Sequence, residues 1–79
     1  MAGEDIIDES ASLRTLGDFD EAIALIEANI DSIDVDLKLN AYLEAFYASE
    51  EKGDLAQTKK YAALAAKEYP DIPSIQKYL

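Results

Sequence analysis

The tripeptide Gly17-Asp18-Phe19 recurs as Gly53-Asp54-Leu55, 36 positions further on (53 minus 17). No other feature constrains the fold as strongly, because each of these glycines interrupts an apolar pattern of helical period. Glycine permits a tight reversal, aspartate caps the helix that follows, and the large apolar residue anchors that helix against the one before it. Three positions later stands a small residue, Ala22 or Thr58, which lets the two helices approach. The sequence therefore reads as two helix-turn-helix units in series.

Apolar spacing extends this reading along the chain. A first helix is expected from about Glu4 to Leu16 on Ile6, Ile7, Ser10, Leu13 and Leu16, and Gly17 stops it. A second follows Asp18, with Glu21 completing a capping-box variant and Phe19, Ala22, Ile23, Ile26 and Ile30 on one face. It is expected to fade near Asp31 or Ser32. The third is expected from about Asp34 to Lys52, with Val35, Leu39, Tyr42, Leu43, Phe46 and Tyr47 as its apolar stripe. The fourth opens at Asp54 and runs to Pro70, carrying Lys67 where the helix dipole favours a cation. A short closing helix is expected from Ile72, with Pro73 in its first turn and Ile72, Ile75, Tyr78 and Leu79 at helical spacing. No segment alternates with period two long enough to form a strand, so the fold class is all-α.

With no cysteine and no histidine, disulfides and the usual zinc ligand sets are unavailable, and hydrophobic packing has to hold a single domain together. The 49% apolar content, with only three Gly and two Pro, suits such a core. No apolar run approaches the length of a membrane span, and the opening Met1-Ala2-Gly3-Glu4-Asp5 is acidic where a signal peptide is basic. A soluble, cytoplasmic protein is expected. The net charge of −10 lies entirely in residues 1–36, which hold eleven acids and one base, Arg14, whereas residues 37–79 hold six of each. Phosphates would be repelled, so neither nucleic acid nor an anionic membrane is an expected partner, and a basic partner is favoured.

The turn Gly17-Asp18-Phe19-Asp20-Glu21-Ala22-Ile23 resembles the inter-helix signature of the tetratricopeptide-repeat family, Gly-Asp-Tyr-Asp-Glu-Ala-Ile or similar. In the second unit Tyr42 stands at the family's first aromatic position, Ala65 at a small one and Pro70 at the closing proline, and the interval of 36 is close to the family's 34. The likeness covers about residues 4 to 70. Departures are Asn29 for alanine, Asp34 for proline, Phe46 for a small residue, Ser49 for an aromatic and Ala62 for a bulky one. From these the second hairpin is expected to splay or repack, and the two extra residues to lengthen the third helix.

The resemblance implies antiparallel hairpins, at about 4–32 and 34–69, stacked as a short right-handed superhelix with a capping helix at about 72–79. It further implies a groove lined by the first helix of each hairpin, at Ile7, Ala11 and Arg14 in one and Asn40, Leu43, Tyr47 and Glu50 in the other. The expected function is a protein-interaction adaptor that binds a peptide or partner protein there. The basic clamp that some members use on acidic carboxyl termini is not reproduced, because Leu43 and Tyr47 stand where it needs Lys and Asn. Two units fall short of the three repeats usually needed for stability, so either the chain is part of a longer array or a second copy covers its end as a homodimer.

Catalysis is not expected. Asp31, Asp34 and Asp36 lack the alternate ligands, central glycine and closing glutamate of a calcium loop, and read as helix-end caps and solvated charge. Glu50 and Glu51 point to different faces of a helix, and Gly3, Gly17 and Gly53 stand too far apart to cradle phosphate. No metal or cofactor is expected. Two further readings are an acidic decoy that occupies a basic or nucleic-acid-binding protein, and a structural or engineered helical scaffold without a natural ligand.

Overall fold

In the computed structural model, which describes residues 2–79, Gly17 and Gly53 both adopt left-handed backbone, with φ of 85° and 86°. Each reversal joins two helices, α1 (Glu4–Thr15) to α2 (Phe19–Asn29) and α3 (Lys38–Lys52) to α4 (Leu55–Glu68), and a single turn, α5 (Pro73–Gln76), follows. The described residues form an all-α fold with no strand. The reversals, of three residues (16–18) and two (53–54), leave each helix pair no course but to fold back on itself, and α1 packs along α2 as α3 does along α4. Helix α3 is central, since it also packs against α2 and α1.

The two turns differ in their caps. Asp54 accepts the Gln57 amide at 3.0 Å through its Oδ1, whereas Asp18 makes no side-chain cap bond, so the capping box expected with Glu21 does not form. The ψ angles at the two positions are 96° and 64°, and Asp20 in the first turn of α2 pairs instead with Lys52 at the end of α3.

The junction between the hairpins departs from the sequence expectation. Residues 30–32 and 35–37 form 3-10 turns, and α3 starts at Lys38 rather than Asp34. Between these turns Ile33 is extended (ψ 133°) and buried, and Asp34 is held by the N-terminal segment: its amide donates to the Ala2 carbonyl and its carboxylate accepts the Ala2 amide. Gly3 lies so close to Ile33 that a Cβ there would meet its side chain at 2.9 Å. A continuous helix through 33–34 would break this clasp. The extra residues thus go into tight turns, closed by Lys38, whose Nζ donates to the Ile30 carbonyl at the end of α2.

The core is built from small residues around a few large ones. Ala22, Ile23 and Ile26 of α2, Ala41, Ala45, Phe46 and Ala48 of α3, and Tyr61, Ala62 and Ala65 of α4 are buried. The stripe expected on α3 is therefore only partly its core face: Val35 is 72% exposed, and Leu39, Tyr42, Leu43 and Tyr47 are half-buried around the alanines. Alanines let helix axes approach while the larger neighbours fill the flanks.

Polar residues at unusual positions are satisfied locally. Asn29 donates to the Leu25 carbonyl and Ser49 to that of Ala45, each four residues back in its own helix, and Ser10 of α1 reaches across to the Ala22 carbonyl of α2. The bulk of Phe46 is absorbed by the C-terminal segment, where Tyr78 meets it edge-on at 5.5 Å and Ile75 is buried. That segment keeps helical form only over Pro73–Gln76. Tyr78 and Leu79 then bond back by three residues to Ile75 and Gln76, so the closing helix is shorter than its apolar spacing suggests.

Ion pairs lace one hairpin to the other. Arg14 bridges α1 to α3, Lys52 bridges α3 to α2, and Lys60 bridges α4 to α2 through Glu27 at 3.2 Å. No helix among the described residues is long and apolar enough to cross a membrane.

Candidate functional site

Helices α1 and α3 place the seven groove residues in three settings. Ile7 and Asn40 come together with Glu4, Asp8 and Leu37 around a hollow of about 280 Å3. The i, i+4 spacing of Glu4 and Asp8 sets both on one side of α1. Ile7 and Leu37 contribute apolar surface, and Asn40, which is exposed, contributes an amide. Such a lining matches a side chain with an aliphatic stem and a cationic head.

About two turns along α1 from Ile7, Arg14 reaches over α3. Its Nε donates to Glu44 at 3.0 Å and its Nη1 to Glu51 at 3.0 Å, with the guanidinium carbon 5.4 Å from the centre of the Tyr47 ring. The hydrogen bond to Glu44, and after it that to Glu51, raises the Arg14 pKa against the opposing effect of burial. Charge, planarity and ring contact together fix Tyr47, which also lies edge-on to Phe46 at 5.5 Å. Arg14 and Tyr47 are thus one unit, and Leu43 is half-buried against the core beside them.

The other two residues are placed elsewhere. Ala11 lines a separate hollow with Ser12, Thr15 and Leu16, further along α1. Glu50 is engaged by the C-terminal segment, accepting the Tyr78 hydroxyl at 2.8 Å with Lys77 Nζ 3.7 Å away. That hydrogen bond raises the Tyr78 pKa.

Apolar spacing did not mark Glu44 and Glu51 as partners for Arg14, or Tyr78 for Glu50. One signal was present: Arg14 and Glu50 are equivalent under the 36-residue shift, and each reaches past the second helix of its own hairpin, Arg14 to α3 and Glu50 to Tyr78 after α5.

A second cluster lies between α2 and α4, where Tyr61 is 2% exposed and its hydroxyl has no partner at hydrogen-bonding geometry. The Glu27 carboxylate is its near neighbour. Burial, and then Glu27, push the Tyr61 phenol far up, while Tyr61 and, after it, Lys60 hold the Glu27 carboxyl below its usual range. The phenol stays protonated and Glu27 ionised at neutral pH.

Among the described residues no group of three or more acidic side chains is arranged to hold a metal ion. Asp34 is occupied by the Ala2 amide. Set against protein-family models, curated proteins and solved structures, the chain matches none of them.

Proposed function

We propose that the chain is a non-enzymatic interaction module of the tetratricopeptide-repeat type that binds a basic peptide segment of a partner protein along α1 and α3. The observation that carries this reading is the hollow formed by Glu4, Ile7, Asp8, Leu37 and Asn40, with the Asp8 carboxylate beside apolar surface. Two hairpins reversing at Gly17 and Gly53 support the repeat assignment, and the charge of −10 concentrated in residues 1–36 supports a cationic partner. Arg14 and Tyr47 bound the site at its other end.

The test is capture of a partner from the source cell, compared with Asn40→Arg, which brings a cation to the hollow at an exposed position, and with the pair Leu43→Ala and Tyr47→Ala. Capture should be lost in both variants and should weaken steeply with salt, while circular dichroism shows the helices retained. Undiminished capture by Asn40→Arg would contradict the reading. Pairing of two copies belongs to the same proposal, and a mass equal to one chain across micromolar concentrations would remove it.

A further inference from the structure

The connector between α4 and α5 carries a motif of its own. Lys67, Pro70 and Pro73 stand three residues apart, and each proline follows an apolar residue, Tyr69 or Ile72. Polyproline II has three residues per turn, so in that conformation the two prolines share one edge, and Lys67, in the last turn of α4, heads it. The prolines favour this form: each fixes its own φ at about −65° and drives the residue before it out of the helical region. Tyr69 and Ile72 are both extended, with ψ of 111° and 115°. Lys67, Pro70, Asp71 and Pro73 are exposed, Tyr69 is 47% exposed, and Ile72 is half-buried.

We propose that residues 67–73 are a ligand for a partner domain of the Src-homology-3 class, whose aromatic-lined groove receives polyproline II segments. The pairs Tyr69–Pro70 and Ile72–Pro73 fill its apolar slots, and Lys67 meets a carboxylate at the end of the groove. Charge does not oppose this. Residues 67–79 hold two bases, Lys67 and Lys77, and two acids, Glu68 and Asp71, whereas residues 1–36 carry −10. A segment that is already extended has less conformational freedom to lose on docking. Only the second pair has to be freed, because it opens α5. There the Ile72 carbonyl accepts the Ile75 amide at 3.2 Å, and the exposed Gln76 side chain donates to the Pro70 carbonyl. A helix of four residues has little stability of its own, so the partner can lift it. This site is separate from the hollow on α1 and α3 and does not depend on it.

The test titrates the full chain, isotope-labelled, with a panel of purified Src-homology-3 domains that take ligands whose cation precedes the prolines. Amide shifts should saturate at Glu68, Tyr69, Asp71 and Ile72, and should extend to Ile75 as α5 lifts. A short proline-rich peptide that fills the same groove should displace the chain. Pro70→Ala removes the fixed φ and the apolar ring, and Lys67→Glu reverses the charge at the head of the motif. Each should weaken binding about tenfold or more. Both positions are exposed, so circular dichroism of the variants should match the wild type. No saturable shift with any domain of the panel, shifts centred outside residues 67–75, or undiminished binding by either variant would overturn the proposal.

Discussion

Tyr78 donates its hydroxyl to Glu50 at 2.8 Å, so a residue next to the end of the chain is anchored on the central helix. The same tyrosine covers Phe46 edge-on. Replacing it with Phe keeps the ring contact and removes the tether. Amide exchange at Ile75 and Tyr78 should quicken, while exchange at Ala41 and Ala45 should stay as in the wild type, because the loosening is local. Equal exchange at Ile75 in both proteins would show that the hydroxyl holds nothing.

The two aspartates of the repeated tripeptide are expected to differ in weight. Asp54→Ala removes a cap bond to the Gln57 amide and should cost about 1 kcal/mol in urea unfolding. Asp18→Ala removes no such bond and should cost clearly less. The sequence makes these positions look equivalent.

Phe46 is fully buried at the meeting of α3 and the C-terminal segment, and truncation to Ala should cost about 3–5 kcal/mol. A 79-residue domain has a total stability of about 4–12 kcal/mol, so the variant should melt far below the wild type. A calorimetric midpoint lowered by only a degree or two would mean that the segment collapses to fill the space.

The ionised form of Glu27 is favoured in the folded state, chiefly by Tyr61 and then by Lys60, against the opposing effect of burial. A carboxyl depressed on folding contributes stability that is complete above its ordinary pKa, here 4.5, and fades as pH falls through the lower folded value. Urea midpoints of wild type and Glu27→Gln should therefore differ most above pH 4.5 and converge in more acidic solution. A gap that widens on acidification would reverse the sign.

What the sequence made legible was local. Gly17 and Gly53 end helices where their tripeptides stand, and α1, α2 and α4 fall within a residue or two of the spans their apolar spacing marks. The start of α3 was not legible, because it is decided by Ala2 and Gly3 clasping Ile33 and Asp34 some thirty residues away. Large side chains on α3 drew attention to a stripe whose closest packing is made by Ala41, Ala45 and Ala48, residues too small to stand out in an apolar pattern. Arg14 finding Glu44, Glu51 and Tyr47 was not legible either, because it depends on how α1 crosses α3. The setting of the Tyr61 hydroxyl left no mark at all, since its neighbour Glu27 belongs to another helix.

The bridges from Arg14, Lys52 and Lys60 each put a base on one hairpin against an acid on the other. The contact therefore carries polarity as well as shape. Transplanting either hairpin beside a neighbour with unmatched signs would assemble the same apolar surfaces under mutual repulsion, and reversing both signs of the Glu27–Lys60 pair should restore the match. Exchanging units within such a protein therefore has to match charge along the seam as well as shape in the interior.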